Sequence, residues 1–235
     1  MPNYHKLYTP QDSAVVFIDH QPQMTFGVAS IDRATLINNV TLLAKCAKEF
    51  EIPAVITAVE TEGFSGYVWP QLLDVFSGQE VVERTSMNSW DDAGFRKAIE
   101  ATGRKNIIMT GLWTEVCVTW PTIEMLGAGY TIYVVEDCCG ATSPAAQEAA
   151  LSRMVQAGAI RLTTIGALLE WQRDWKDHTH YDSLMNLLRA QAGAYGVGVE
   201  YAYTMVHHAA QSALKPQIVR KEAEHAAGTA KATAK

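Results

Sequence analysis

The sequence lacks three features that would each assign it to a class of protein: a long apolar run, an apolar leader and a basic patch. No stretch of about 18 apolar residues occurs, so the 235-residue chain is not expected to span a membrane. The polar opening MPNYHKLYTPQDS has no apolar signal core, which predicts a cytoplasmic protein. The formal net charge is −6, and this balance without a basic patch argues against nucleic acid as a partner.

Cysteine is scarce, and its spacing fits neither a disulfide framework nor a CxxC pair. The four cysteines are Cys46, Cys117, Cys138 and Cys139. Because no signal for export is present, free thiols are expected. Cys46 lies on the apolar stripe of a predicted helix, where a thiol fills space as a small hydrophobic side chain. The other three thiols need a separate argument.

What the sequence does contain is an alternation of short apolar segments with amphipathic ones. The pattern predicts strands at 14–20, 53–60, 80–84, 106–111, 131–137 and 159–164, and helices at 32–50, 91–103, 114–128 and 143–158. Capping residues stand at several of the helix starts, namely Asp32, Asp91 or Asp92, and Ser143. Strands that alternate with helices through short loops predict an α/β protein with a parallel sheet covered on both faces.

The end of the chain departs from this alternation. We predict one main domain over residues 1–180 and a helical C-terminal extension over 181–235. Aromatic side chains there would be costly to leave in water, so a contact between subunits is expected. The final stretch, KPQIVRKEAEHAAGTAKATAK, has little apolar content and is predicted to be frayed or disordered.

Polar residues follow several predicted strands. Ligands of parallel α/β sheets bind beyond the carboxyl ends of the strands, so these residues are expected at one edge. They are Asp19, Glu60, Arg84, the turn at 111–117 and Asp137. His20 directly follows Asp19 but is expected to point to the opposite face of its strand, so a Cys–His pair is not supported.

Cys117 lies in the first turn of the helix predicted after the fourth strand. If Thr114 caps this helix, Cys117 falls near the third helical position, where unpaired N–H groups favour a thiolate and can hold an oxyanion. A buried structural thiol is an equally open interpretation. Pro121 has no N–H and crowds the carbonyl of Cys117, so the first turn is expected to be distorted.

A reactive thiol needs a base, and Asp19 is the candidate. A partly desolvated carboxylate at the end of the first strand is expected to have a raised pKa and to accept the thiol proton. Arg84 can hold the two groups by charge. Simpler alternatives are that Asp19 caps a loop or helix and that Arg84 is an ordinary surface cation.

Four segments in this order resemble the isochorismatase-like cysteine hydrolase superfamily. They are VFIDHQ at 16–21, ERTSMNSW at 83–90, GLWTEVCV at 111–118 and VVEDCCGAT at 134–142. The resemblance covers about residues 10–175. The TEVCV segment followed by a proline, together with RDW at 173–175, is similar to the YcaC-like subgroup of bacterial hydrolases.

The resemblance implies a fold, a catalytic set and an assembly. It implies a Rossmann-like, doubly wound three-layer sandwich with six parallel strands, and octamers. It implies that Asp19 takes the thiol proton and Cys117 attacks a carbonyl carbon, with Arg84 at the position of the family lysine. It also implies a non-proline cis peptide between Trp113 and Thr114, whose turn aims N–H groups at the oxyanion. The expected substrate is a small amide or carbamoyl compound, bound by Gln21, Trp113 and loop residues near 61–69.

Two departures from the family pattern carry predictions. Arg84 keeps the positive charge of the lysine but cannot shuttle a proton. The segment TAVETEGFSG at 57–66 has no histidine where zinc-dependent relatives have ligands, so no metal and no other cofactor is predicted.

Three alternatives stay open beside the hydrolase. Cys117 could be the sensor of a redox-responsive or non-catalytic oligomer, because a reactive thiol is also oxidised readily. Cys138 or Cys139 could be the nucleophile, although neither has an evident helix cap or base. Nucleotide binding is disfavoured because the first βα turn, DHQPQMTFGV, has no glycine-rich phosphate loop.

Overall fold

The computed structural model describes residues 7–206, and within them a single parallel sheet carries the fold. The strands are β1 (Ser13–Ile18), β2 (Ala54–Val59), β3 (Val81–Arg84), β4 (Asn106–Leu112), β5 (Thr131–Gly140) and β6 (Ile160–Leu162). The α-helices are α1 (Pro22–Phe26), α2 (Arg33–Glu49), α3 (Pro70–Val75), α4 (Ala93–Ala101), α5 (Thr119–Gly127), α6 (Pro144–Ala157), α7 (Thr164–Gln172), α8 (Tyr181–Gln191) and α9 (Gly193–Tyr201).

The strand order is β3-β2-β1-β4-β5-β6, with every pair parallel. The chain first builds outward from β1 to β3 and then returns to place β4 on the other side of β1. This doubly wound order confirms the predicted α/β fold. It also creates a switch point between the carboxyl ends of β1 and β4, the place where open α/β sheets bind ligands.

The sheet is stable because its central strands are buried on both faces. All six residues of β1 are buried, and apolar side chains such as Phe17 and Ile18 each contribute roughly 1.5–3 kcal/mol of hydrophobic stabilisation. On α2, Cys46 is fully buried among the apolar residues of the helix, as its position in the sequence predicted. The carboxylate of Asp32 accepts a hydrogen bond from Thr35 N at 2.8 Å and caps α2.

Strand β5 is longer than predicted and pairs with β4 in two registers. Met109 pairs with Val134, whereas Gly111 pairs with Cys139 after a shift in register. The second register extends the strand to Gly140. Cys138 and Cys139 were expected in the loop after the strand, but they lie inside it and have no exposed surface.

Within residues 7–206 the chain divides into two compact units, the first ending at Leu187 and the second beginning at Leu188. In the first unit, α7 follows the last strand. In the second, α9 follows the end of α8, and the Arg189 guanidinium pairs with Glu200 at 2.5 Å. The domain boundary after residue 180 stays a prediction, and the stretch predicted to be frayed lies outside the described residues. No helix of residues 7–206 has the length and apolar character of a membrane span.

Candidate active site

The cysteine turn joins β4 to α5 at the switch point of the sheet. Residues Thr114–Val118 form a π-helical turn in which the N–H groups of Val116 and Val118 both donate to the Trp113 carbonyl, at 3.1 and 3.4 Å. The regular α-helix begins only at Thr119. Pro121 therefore coincides with a distorted first turn, as its missing N–H predicted.

Two details of this turn correct the sequence-based expectations. The hydroxyl of Thr114 caps nothing: it is buried and has no hydrogen-bond partner among the residues that the structure describes, and Trp113 occupies the cap position. The non-proline cis peptide joins Leu112 to Trp113, one bond before the predicted position. The shifted cap follows from the longer strand, because β4 runs through Leu112 and the next residue, Trp113, starts the turn.

Asp19 lies directly after the last residue of β1. Its backbone is in the left-handed region with φ of 54°, which is uncommon for a residue other than glycine. Its N–H donates to the Thr57 carbonyl at 3.0 Å, which anchors it to the neighbouring strand. Asp19 has no exposed surface. A strained backbone and a buried carboxylate both occur more often at functional sites than elsewhere.

Arg84 reaches Asp19 from two strands away. The Nη2 atom of Arg84 is 2.6 Å from one carboxylate oxygen of Asp19 and 2.5 Å from the other. Its Nη1 atom donates to the backbone carbonyls of Ser86 and, at 3.5 Å, Met87. The side chains of both ion-pair partners have no exposed surface. Arg84 is therefore a fixed internal counter-charge and not a surface cation.

The third member, Cys117, forms a side-chain hydrogen bond with Asp19. Burial raises the pKa of Asp19 to about 6, while Arg84 and the hydrogen bonds lower it. Burial and the Asp19 charge raise the pKa of the Cys117 thiol to about 12, and a hydrogen bond from the Trp113 backbone lowers it. The raised Asp19 pKa was predicted. The sequence left a thiolate and a buried thiol open for Cys117, and the raised pKa favours the thiol, because desolvation outweighs the helix start.

Trp113 supports the turn through its ring. Its indole N–H donates to the Met24 carbonyl at 2.7 Å, and the ring lies against the backbone of Gly27. A Cβ atom at Gly27 would lie only 2.5 Å from the indole, so the close approach requires glycine. The contact of Trp113 with a substrate stays a prediction.

The Gln21 side chain forms hydrogen bonds with the backbone of two segments that follow one another at the end of β2. Its amide nitrogen donates to the carbonyls of Val59 and Gly66 at 3.0 and 2.5 Å, and its amide oxygen accepts from Val59 N at 3.0 Å. The residue has no exposed surface. These bonds hold residues 60–67, called the strap below, against the end of β2. Contact between Gln21 and a substrate stays a prediction, and the three backbone bonds leave the amide little capacity for it.

The structure gives roles to residues that the sequence argument missed or placed only approximately. Glu115, inside the cysteine turn, accepts hydrogen bonds from the N–H and hydroxyl of Thr142 at 3.1 and 2.6 Å and so ties the turn to the end of β5. Asp137 was expected at the end of its strand but lies inside β5, where it accepts hydrogen bonds from the N–H and hydroxyl of Thr164 at the start of α7. The sequence shows Glu115 as a carboxylate two residues before Cys117, and this position could have drawn attention to it.

His20 is buried next to the site without taking part in it. Its ring packs edge-on against Trp69 with centroids 4.9 Å apart, and burial lowers its pKa to about 3. It is therefore a neutral packing residue. Among residues 7–206, no three His, Cys, Asp or Glu side chains are grouped so as to hold a metal ion, and the absence of a metal stays a prediction.

The fold and the site define a doubly wound α/β protein with a candidate catalytic centre at its switch point. Residues 13–165 match the family model described as the isochorismatase domain, and the chain belongs to this family of hydrolases. The resemblance inferred from the sequence is thereby confirmed.

The similar proteins include YcaC, in agreement with the predicted subgroup. A probable hydrolase YcaC of Escherichia coli is 35% identical over 167 residues, which cover 71% of this chain and 80% of that protein. The structure of YcaC from Pseudomonas aeruginosa has a TM-score of 0.80 at 32% identity and covers 83% of this chain and 96% of its own. The E. coli YcaC structure has a TM-score of 0.81 at 31% identity, with coverages of 88% and 100%.

Proposed function

We propose that this protein is a cysteine-dependent hydrolase that cleaves the C–N bond of a small amide or carbamoyl compound. The observation that carries the proposal is the position of Asp19, which contacts the Cys117 thiol on one side and the Arg84 guanidinium on the other. A carboxylate with a pKa near 6 is ionised at neutral pH and can accept the thiol proton as the sulfur attacks.

The first chemical step follows from this geometry. The Cys117 proton passes to Asp19 while a bond forms between sulfur and the carbonyl carbon, and the carbonyl electrons move onto oxygen. Backbone N–H groups of the turn that begins at Thr114 are the candidate donors to that oxyanion. Collapse expels the amine, which takes the proton from Asp19, and leaves a thioester on Cys117.

Water then completes the reaction. Asp19 removes a proton from the water as it attacks the thioester, and returns a proton to the leaving sulfur. Arg84 does not transfer protons in this scheme. Its two contacts keep the carboxylate oriented and partly neutralise its charge in a buried site, where an unpaired charge would be costly.

Two properties of relatives support the proposal. The P. aeruginosa YcaC structure contains covalent acrylamide, an electrophile that reacts with nucleophilic side chains, which supports a reactive nucleophile in a protein 32% identical to this chain. The E. coli YcaC structure is described as an octameric hydrolase of unknown specificity. We extend the assembly to this chain and propose a homo-oligomer, as the aromatic residues near its end predicted.

Neither main alternative is favoured by a specific observation. A sensor reacts with oxidants as a thiolate, whereas the raised pKa keeps Cys117 protonated. Cys138 and Cys139 are fully buried within β5, and burial raises their pKa values as well.

The experiment is an ammonia-release assay over a panel of small primary amides and carbamoyl compounds. Wild-type protein is expected to release ammonia from some member, and Cys117→Ala is expected to reduce the release to the level of buffer. Cys138→Ala and Cys139→Ala are the matched controls and are expected to keep it. Mass spectrometry is expected to show an acyl adduct on the peptide that holds Cys117. Release that survives Cys117→Ala, or an adduct only on another cysteine, would contradict the proposal.

A further inference from the structure

We propose that the site selects small amides whose remaining part is apolar and either uncharged or cationic, and disfavours amides that carry a carboxylate. This inference rests on the proposed function, because it concerns the substrate of Cys117. It is carried by three glutamates at the carboxyl edge of the sheet, by a buried arginine, and by a group of exposed apolar side chains.

The strap brings two of the glutamates to the tip of β3. The N–H of Glu60 donates to the Arg84 carbonyl at 3.1 Å, and the N–H of Thr61 donates to the Glu83 carboxylate at 2.8 Å. Glu62 follows within the strap and accepts a hydrogen bond from the Tyr67 hydroxyl. Glu60, Glu62 and Glu83 are all exposed, so the strap and the tip of β3 together present three carboxylates to solvent.

No accessible cation of the catalytic set can receive a substrate carboxylate. The Arg84 side chain has no exposed surface, and its two terminal nitrogens are bonded to Asp19 and to backbone carbonyls. Arg33, the first residue of α2, is exposed, but its guanidinium donates to the carbonyls of Thr25 and Phe26 in α1 at 3.0 and 2.9 Å. Its charge lies beside Asp32, whose pKa it helps to lower.

The negative charge of this edge reaches the reacting groups. Glu83 is among the charges that raise the pKa of Asp19, so its field extends to the catalytic carboxylate. An anionic substrate that approaches Cys117 enters the same field and is repelled, whereas a cation is attracted.

Apolar side chains occupy the same edge. Four of them are exposed by more than half of their surface and belong to the segments that follow β1, β2 and β3: Phe26 (68%), Phe64 (60%), Tyr67 (65%) and Met87 (59%). The Met87 carbonyl accepts a hydrogen bond from Arg84, which places its backbone next to the catalytic set. Exposed apolar side chains near a catalytic edge favour an apolar substituent on the ligand.

The first test measures alkylation of Cys117, in which Asp19 accepts the thiol proton as in the proposed first step and no turnover is required. Iodoacetamide and iodoacetate differ in charge, and the ratio of their rates at the Cys117 peptide is compared with the ratio for glutathione. We expect the protein ratio to exceed the glutathione ratio by about tenfold at low salt and to fall as salt screens the glutamates. Glu62→Gln and Glu83→Gln are expected to lower the ratio several-fold. Glu100→Gln, an exposed glutamate at the end of α4, is the control expected to leave it unchanged.

The second test compares butanamide, 4-aminobutanamide and succinamate as substrates. The neutral and cationic amides are expected to be hydrolysed at least several-fold faster than succinamate. Succinamate hydrolysis as fast as that of butanamide, or a glutathione-like alkylation ratio, would overturn the selectivity and leave the cysteine hydrolase intact. If no amide is hydrolysed and neither reagent modifies Cys117, the proposed function fails, and the selectivity with it.

Discussion

At the scale of single residues, the chemistry of this site is decided by how burial changes three side chains. Asp19 is completely buried yet has both Arg84 and Cys117 as partners, so its pKa rises only to about 6. The same burial raises the pKa of Cys117 to about 12. At neutral pH the pair is therefore a carboxylate and a thiol, which is the arrangement of a base and a nucleophile before proton transfer.

This assignment predicts the acid side of the pH–activity profile. Asp19 must be deprotonated to accept the thiol proton, and its pKa lies near 6. We expect kcat/KM to be constant above about pH 7 and to fall tenfold per pH unit well below pH 6. Stopped-flow or ammonia-release kinetics between pH 4.5 and 8 measure it. A profile that stays flat down to about pH 4.5 would show that Asp19 is not the base.

Two replacements of Arg84 distinguish the effect of its positive charge on Asp19 from the effect of its paired contacts with the carboxylate. Arg84→Lys keeps the charge but loses the paired contacts to both Asp19 oxygens, so we expect kcat to fall on the order of tenfold to a hundredfold with the pH profile little moved. Arg84→Gln removes the charge that lowers the Asp19 pKa, so the acid limb is expected to shift above pH 6. It is also expected to destabilise the fold by roughly 3–5 kcal/mol, measured by urea unfolding. Equal pH profiles for the two variants would exclude an electrostatic role.

At the scale of elements, the switch point between β1 and β4 holds the cysteine turn in place. The turn is attached on three sides: to β4 through Leu112, to α1 through the Trp113 ring, and to the end of β5 through Glu115. Gly111 lets the strands approach closely, since a Cβ atom there would lie 2.7 Å from the Ile18 carbonyl oxygen. These contacts are tertiary, and they fix the position of Cys117 relative to Asp19.

The contact between the Trp113 ring and the end of α1 can be tested by the substitution Gly27→Ala, which adds one methyl group. A Cβ atom at Gly27 would lie 2.5 Å from the Trp113 indole, so Gly27→Ala must displace the ring or α1. We expect a loss of about 1–3 kcal/mol in unfolding free energy and a kcat at least several-fold lower. Gly127→Ala, at the end of α5 with open space around the new methyl group, is the matched control. Wild-type kcat for Gly27→Ala would show that the ring does not position the turn.

At the scale of the whole molecule, exposed apolar side chains mark surface that remains uncovered in a single chain. Outside the catalytic edge they include Trp175, with 42% of its surface exposed, and, in the second unit, Val197 and Tyr201, with 71% and 61%. Residues of this type are common in subunit contacts. The octamer described for the E. coli relative gives the assembly to look for.

We therefore expect this protein to form a homo-oligomer in solution, with a molar mass up to eight times that of the 25.8 kDa chain. Light scattering after size exclusion measures the mass directly. Val197→Glu, which places a charge on the exposed surface of α9, is expected to give a smaller species. Glu100→Lys on α4 is the control for a change of charge. A wild-type protein that is monomeric at micromolar concentration would contradict the prediction.

The sequence by itself was sufficient for the alternation of strands and helices and for the edge at which the site lies. These follow from local periodicity, because an unbroken apolar run such as AVVFI indicates a strand that is buried on both faces. The caps at Asp32, Asp92 and Ser143 were also readable, since a side chain that bonds three residues ahead is a local feature.

Only the tertiary structure decided how the catalytic groups meet and in what protonation state. The strand order places Arg84 two strands from Asp19, and only the folded chain shows its guanidinium crossing β2 to reach the carboxylate. The sequence left the state of Cys117 open between a thiolate and a buried thiol, because desolvation depends on everything packed around the sulfur, whereas only the helix start is visible in sequence. The local sequence pattern determines which residues lie at the carboxyl edge of the sheet. The packing around those residues determines their pKa values, and so which of them are charged.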